Sequence, residues 1–504
     1  MSRPLTLIFQ QCLSSSTWPT VWKEARVTPV HKKKDKADPS NYRPISLLSV
    51  VSKTLERVIA EQLTLHLDNH HLISPRQFGF RKGRSASDLL LLLSKTWHEA
   101  LDSGRPSLVI ALDIAGAFDR VWHRGLLAKL EQLGVTGRLL ELFSSYLQGR
   151  SLRVVVSGCT SDTFPVEASV PQGSILGPLL WNIYFNDLLQ SLPVASAYAD
   201  DCTLSHSYTR DEVANVINVT NRHLGDIMAW GRRWQVKFAA EKTQAVLISR
   251  SREDARLLEG QIKFGGDVLA IQDSVNILGV EVDSKLCFDS HLESVARKAS
   301  LRVTLLRRVR HLLDADGLMK LYKAQVRPIM EYSPLTWMSS AQGHLSLLDK
   351  VQRRAERLIA ETTGQQRRHH TGQRLRQQPQ ERRPQQQQQP HRGTQLDAPC
   401  TLLDTLEHRR RVGALTVLHK AQVQHIPHLA ALRVPWRRCE RTTRAVVSDL
   451  LLEVPRTRTT GCQRAYTCAT AVLWNAFTSV VDVGRMSTQR VKQAAHTWLR
   501  ARPP

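Results

Sequence analysis

The sequence predicts an α+β fold, and three observations carry that reading. Short apolar β-runs and helical periodicities are interleaved irregularly between residues 20 and 360, without a regular strand–helix repeat. Hydrophobic residues make up 42% of the 504, enough for sizeable cores. No apolar run approaches the ~20 residues of a membrane span, the longest being Leu89 to Leu93 with its flanks.

In chain order, Leu55, Val58, Ile59 and Leu63 recur at helical spacing, so Lys53 to Leu67 reads as a helix. Leu108 to Leu112 reads as a buried strand that ends at Asp113. Gly125 to Leu133 is helical, with Gly134 as its stop. Ser151 to Val156 is strand-like, and an apolar helix is expected over Leu179 to Leu188. Val194 to Leu204 carries two short strand signals around a tight acidic turn. Asp226 to Trp234 reads as helix, Gln244 to Ile248 as strand, and Val295 to Leu313 as an amphipathic basic helix. From Gln365 to Thr394 the chain is Gln, Arg and His with almost nothing to bury, which predicts a disordered linker. A small helical region resumes near Leu402, with Val412, Leu415 and Leu418 on one face.

Lys plus Arg is 70 and Asp plus Glu is 45, a formal charge of +25. A surplus that large favours polyanionic partners, nucleic acid first, although a soluble basic enzyme carries the same signature. The eight cysteines include no C-x-x-C pair and no Cys/His set at zinc-finger spacing, so a reduced compartment is expected. Residues 1–13 lack the sustained apolar stretch of a signal peptide.

Three segments carry chemistry. Ala111-Leu-Asp-Ile-Ala-Gly-Ala-Phe-Asp119 delivers Asp113 to a strand end. Ser169-Val-Pro-Gln-Gly-Ser-Ile-Leu-Gly-Pro178 is a tight loop that permits close backbone approach to a ligand. Ala197-Tyr-Ala-Asp-Asp201 places two adjacent carboxylates on a turn. Clustered carboxylates repel one another unless a cation holds them, and hard oxygen donors suit Mg²⁺. Taken singly, each segment has an ordinary structural reading: a solvated Asp-Asp turn, an Asp that caps a helix, a Pro-Gln-Gly turn.

In combination these segments resemble the palm of reverse transcriptases, nearest to the jockey-like branch of the non-LTR (LINE-type) retrotransposon enzymes. The resemblance extends upstream through Trp22-Lys-Glu-Ala-Arg-Val-Thr-Pro-Val30, Asn41-Tyr-Arg-Pro-Ile-Ser-Leu47 and Gln77-Phe-Gly-Phe-Arg-Lys-Gly-Arg-Ser85. Downstream it includes Trp230-Gly-Arg-Arg-Trp234, Glu241-Lys-Thr243, Ile277-Leu-Gly-Val280, Val326-Arg-Pro-Ile-Met-Glu-Tyr332, Val351-Gln-Arg-Arg-Ala355, Arg409-Arg-Arg-Val412 and Leu473-Trp-Asn475.

The resemblance implies a right-hand polymerase fold of fingers, palm and thumb, with a disordered linker and a small helical C-terminal module. The expected divisions are an N-terminal segment at 1–21, fingers and palm at 22–249, post-palm hairpin and thumb at 250–363, linker at 364–401 and C-terminal module at 402–504. It implies that Asp113, Asp200 and Asp201 are the catalytic and metal-binding acids, holding two Mg²⁺ ions with Mn²⁺ as a substitute; Asp201 is the most peripheral. The Ile114 carbonyl completes one coordination shell. Phe118 lies under the incoming sugar and selects dNTP over rNTP, where the plain alternative is a core Phe. Gln172 and Gly173 border the nascent base pair, and the glycine leaves room there. Arg43 clamps triphosphate oxygens, assisted by Lys32, Lys33 and Lys34, and Lys242 acts as general acid toward pyrophosphate. Arg81, Lys82 and Arg84 contact template backbone, and Arg297, Lys298 and Arg302 face the template–primer duplex. Asp119, Trp122 and His123 are supports.

The implied partners are an RNA template, a DNA primer or nicked target DNA, and dNTPs, with no membrane. The implied activity is an RNA-directed DNA polymerase working by target-primed reverse transcription in a ribonucleoprotein, in the nucleus or cytoplasm. Two departures stand out. Ala239 occupies a position where the family usually has Asn, and the fingers motifs begin almost at Met1. Nicking is therefore expected from another chain or a missing upstream region. The competing expectation is a truncated, inactive remnant that only binds nucleic acid.

Overall fold

The computed structural model describes residues 2–32, 35–376, 403–437 and 450–501. Lys33, Lys34 and the linker beyond Arg376 lie outside the described residues. The chain forms two compact units, Met1–Leu89 with Ser103–Gly279, and Leu90–Asp102 with Val280–Pro504. Helices and sheets are mixed throughout, as the α+β expectation requires.

The first unit is built on a five-stranded sheet ordered Ile271–Gln272, Gln244–Ile248, Ser107–Leu112, Asp201–Ser207, Ala195–Tyr198. Ser107–Leu112 is central, antiparallel to both neighbours. Its residues Leu108, Val109 and Ile110 are fully buried, which explains a near-continuous apolar run in place of alternation. The Leu176–Ser191 helix is apolar almost all round and buries Trp181, Tyr184 and Phe185 in the same core. A second sheet runs Tyr42–Leu47, Glu24–His31, Arg150–Val156, with Cys159–Thr160 and Phe164–Val166 both paired to the last strand.

Three expected elements are displaced, each for a packing reason. The first helix is longer than expected, Val50–Asn69, and Val58 is 47% exposed. Its buried stripe runs through Ser52, Leu55, Glu56, Ile59, Leu63 and Leu67, leaning away from Val58 by about a third of a turn. The Asp226–Trp234 expectation is the second half of a helix spanning Val213–Arg233, whose buried Val216, Thr220 and Leu224 extend the stripe upstream. The motif Trp230-Gly-Arg-Arg-Trp234 ends this helix, and Trp230, Trp234 and Tyr184 enclose the buried Lys129 ammonium, 3.8 Å from the Trp234 ring centroid. The basic helix begins six residues early, at Asp289, and ends at Val309 before a short 3-10 turn.

His206, on the Asp201–Ser207 strand, is 8% exposed and stacks on His223 at 5.2 Å. Burial, then the neighbouring His223, pushes its imidazole down to about 4. The unfolded chain takes up that proton near pH ~6.5, so the stability held in neutral His206 is complete above that value and is lost as pH falls toward 4. Acidification from about pH 7 to about 4.5 is therefore expected to lower the melting temperature of the wild type more than that of His206→Gln, as thermal melts at both pH values will report.

In the second unit the Asp289–Val309 helix buries His291, Leu292, Val295, Ala299, Val303 and Leu306 and packs against the Gln342–Arg376 helix. Arg297, Lys298 and Arg302 lie on its exposed side. The long helix continues to Arg376, into the stretch expected as linker. Val412, Leu415 and Leu418 are buried as expected, together with Trp474, Phe477, Val491 and Trp498.

Candidate active site

The acids separated by almost ninety positions meet because two strands pair. Leu112 pairs with Cys202 in the antiparallel ladder, so the next residues outward, Asp113 and Asp201, end adjacent strands side by side. Ala195–Tyr198 and Asp201–Ser207 form a hairpin, closed by Tyr198 opposite Asp201. Ala199 turns it with φ +62°, a left-handed conformation costly for a non-glycine residue. Asp113 is anchored by its backbone: its carbonyl accepts from the Ala239 amide at 2.9 Å.

The electrostatics follow from that crowding. Burial raises the Asp200 carboxyl above its usual range, Asp113 raises it further, and the Arg43 guanidinium works in the opposite direction. Asp201 is pushed up to about 6, first by the protein around it and then by Asp200 and Asp113. Asp201 nevertheless presents an exposed surface, so an arriving cation can reach it. Lys242 lies 3.7 Å from Asp113, both side chains partly exposed, a pair that contributes at most about 1 kcal/mol but places an ammonium at the rim.

The walls come from the other motifs. Ile114 is buried in the core, and its backbone forms an antiparallel bridge with Phe238. Phe118 is half-buried against Phe80 (6.1 Å) and Trp181 (5.8 Å), so it is a packed residue with part of its surface exposed. Gln172 donates to Asp119 at 2.8 Å, and its carbonyl accepts from the Ser46 amide. Gly173 has φ +120°, and a Cβ there would lie 2.5 Å from the Ser46 carbonyl oxygen. The close passage of the Tyr42–Leu47 strand thus by itself requires a glycine here. His123 Nε2 donates to the Ser169 carbonyl at 2.8 Å, as a support would. Ala239, the departure from the family pattern, is fully buried and bonds through its backbone to Asp113 and Thr243.

Arg81 and Arg84 both make bonds within the protein. The Arg81 guanidinium bonds Asp68 and the Ser74 carbonyl, both at 3.0 Å. The Arg84 guanidinium bonds the Pro75 and Gln77 carbonyls, and burial lowers it to about 10. Both therefore hold the 74–77 loop, and within this trio Lys82 is the exposed cation. Among the described residues, the one Asp/Glu/His/Cys trio whose donor atoms all lie within 4.8 Å of one another is Asp404, His408 and His496, in the second unit. Asp404 is forked onto Arg500 at 2.9–3.0 Å, so this cluster ties the Leu406–Gln422 and Thr488–Arg500 helices together.

Two residues to which the sequence assigns no role stand behind the site. Glu56, fully buried, receives the Ile175 amide at 2.7 Å and the Leu176 amide at 3.2 Å, at the start of the Leu176–Ser191 helix. Gln77, 1% exposed, bonds the hairpin turn at Ala199. Gln77 was visible as a motif letter, and nothing in its neighbourhood showed its partner.

Residues 30–282, half of the chain, match the family described as reverse transcriptase (RNA-dependent DNA polymerase). The chain is 31% identical over 377 residues to the probable RNA-directed DNA polymerase from transposon BS of Drosophila melanogaster, covering 71% of this chain and 40% of that protein. It is 29% identical over 368 residues to the RNA-directed DNA polymerase from mobile element jockey of the same organism, with the same coverage. The chain thus spans about 40% of the length of these relatives. A telomerase structure from Candida albicans aligns over 70% of this chain and 68% of its own at 13% identity and TM-score 0.38, too distant to bear on the argument. With paired strands bringing Asp113 to the Asp200–Asp201 turn inside the matched segment, the chain belongs to the reverse transcriptase family.

Proposed function

We propose that this chain is the RNA-directed DNA polymerase of a non-LTR retrotransposon, extending the 3′ end of a DNA primer or nicked target with dNTPs along an RNA template. The observation that supports this most is the meeting of Asp113 with Asp200 and Asp201 at one sheet end, next to Arg43 and Lys242. On this reading, fingers and palm occupy 22–249, the post-palm hairpin and thumb 250–363, the linker 364–401 and the helical module 402–504.

Reverse transcriptases depend on divalent metal, and the donor set fits one. Burial first, and then repulsion from Asp200 and Asp113, push Asp201 up to about 6, a cost that a cation relieves. Asp113 and Asp200 would hold two Mg²⁺ ions, or Mn²⁺, with the Ile114 carbonyl beside them and Asp201 at the margin. Such ions supply activation of the attacking hydroxyl and charge neutralisation on the leaving pyrophosphate. Arg43, close enough to Asp200 to act on its carboxyl, would grip the triphosphate, with Lys32 nearby. Lys242 would donate a proton to pyrophosphate. Lys82, Arg297, Lys298 and Arg302 are exposed cations suited to nucleic-acid backbone, so binding would weaken steeply with salt. The nick that supplies a primer would come from another chain or from a region outside this sequence, and the working particle would be a ribonucleoprotein in the nucleus or cytoplasm.

Primer extension on an RNA template with Mg²⁺ and dNTPs tests the proposal; template-dependent product is expected. A wild-type protein that binds template–primer without extending it would leave the binding-only remnant as the reading. The same assay tests the sugar gate. Phe118→Val should raise the ratio of rNTP to dNTP incorporation by about 10-fold or more. The ratio is the readout because losing contacts to Phe80 and Trp181 also costs ~1–3 kcal/mol of stability. An unchanged ratio would remove Phe118 from the sugar site.

A further inference from the structure

We propose that Gln77 is a positioning residue: its carboxamide latches the turn that presents Asp200 and Asp201, so that the fingers motif around it sets the geometry of the catalytic acids. The inference rests on the polymerase reading of those acids.

The latch is a complete backbone surrogate. Gln77 Oε1 accepts from the Ala199 amide at 3.0 Å and from the Gly79 amide at 2.9 Å. Its Nε2 donates to the Ala199 carbonyl at 3.2 Å. One side chain therefore satisfies both polar groups of the residue immediately before Asp200, as a neighbouring strand would. The main chain beside it does the same for the strand. Ala197 donates to the Arg76 carbonyl at 2.9 Å, Phe78 donates to the Ala197 carbonyl at 2.8 Å, and Gln77 and Ala197 form a parallel bridge. Residues 76–78 thus add a further edge to the five-stranded sheet at its acidic hairpin.

The fit has no slack. A Cβ on Gly79 would lie 2.1 Å from the Ala199 nitrogen, so only glycine lets the two segments touch. Asn182, 2% exposed, donates to the Gly79 carbonyl at 2.9 Å and fixes the segment from the Leu176–Ser191 helix. Arg84 bonds the Gln77 carbonyl from the other end. The need for a latch is also visible. Ala199 sits at φ +62°, and the adjoining acids repel each other and Asp113, so the turn carries both backbone strain and like-charge repulsion. An amide is the right group because it offers donor and acceptor without charge. A carboxylate would lose the donor and add a fourth negative charge.

Three variants test this: Gln77→Glu, Gln77→Leu and the isosteric, uncharged Gln77→Met. Four readings are taken on each: melting temperature, hydrogen exchange of the 195–202 segment, Mn²⁺ affinity by electron paramagnetic resonance, and primer extension at varied dNTP and Mg²⁺. Expected are exchange at Ala199–Asp201 at least ~10-fold faster and Mn²⁺ affinity ~10–100-fold weaker. The extension kcat should fall by a similar factor, with KM for dNTP and template–primer affinity changed by less than about threefold. A role confined to folding would lower the melting temperature and leave metal affinity per folded molecule unchanged. Gln77→Met with wild-type exchange and Mn²⁺ affinity overturns the latch. If Gln77→Glu does not fold, the Met variant decides alone. If the wild type binds Mn²⁺ but extends no primer, the polymerase reading falls while exchange and Mn²⁺ affinity still judge the latch.

Discussion

Asp113→Asn and Asp200→Asn are each expected to lower primer extension on the order of 10³-fold, about 4 kcal/mol of barrier, while the folded protein becomes no less stable. The two halves of this expectation have one cause. Without bound metal, Asp113 raises Asp200 and both raise Asp201, so neutralising one of them removes repulsion. In the working enzyme the same charge is what would hold the ions. Extension rates and melting temperatures of the two variants, measured without and with Mg²⁺, check it. Mg²⁺ should raise the wild-type melting temperature more than that of either variant, because a ligand stabilises only the state that binds it. Wild-type rates in both variants would end the assignment of these residues as catalytic acids.

Glu56→Leu is expected to destabilise the first unit by about 3 kcal/mol, although position 56 is far from the acids in sequence and carries no motif. Glu56 is fully buried, and its carboxylate receives the amides of Ile175 and Leu176 together with the Ser52 hydroxyl at 3.2 Å. Those amides begin the Leu176–Ser191 helix, where the unpaired N–H groups and the helix dipole both favour an anion. Leucine would fill the volume and leave the donors without an acceptor in a place water does not reach. Glu56→Gln retains an acceptor and should cost less, so chemical denaturation of the pair separates the lost charge from the lost hydrogen bonds. Equal stability of the wild type and Glu56→Leu would contradict the account.

Much of the architecture could be read from local pattern. The strand ending at Asp113, the acidic hairpin, the strand Gln244–Ile248 and the apolar helix after the Pro-Gln-Gly loop all stand where their residues predict them. Helix ends were harder. Val58 satisfies the spacing rule yet lies outside, because the buried stripe through Leu55, Ile59, Leu63 and Leu67 leaves position 58 about a third of a turn away. The bonds that Arg81 and Arg84 make to carbonyls of the 74–77 loop are likewise not legible in the sequence, because those partners come within reach only when the loop folds back.

Sequence alone determined the elements and the chemistry available to them, since strand alternation, helical periodicity and the pairing of acids with turn residues are short-range properties. Tertiary structure decided which groups meet. Gln77 and Ala199 are 122 residues apart, and Glu56 and Ile175 are 119 apart. Gly173 is glycine because of a carbonyl on a distant strand. Hydrogen-bond partners and steric room across such separations are fixed only when the sheets close, because burial leaves each polar group one way to be satisfied and that way depends on what the fold has packed beside it.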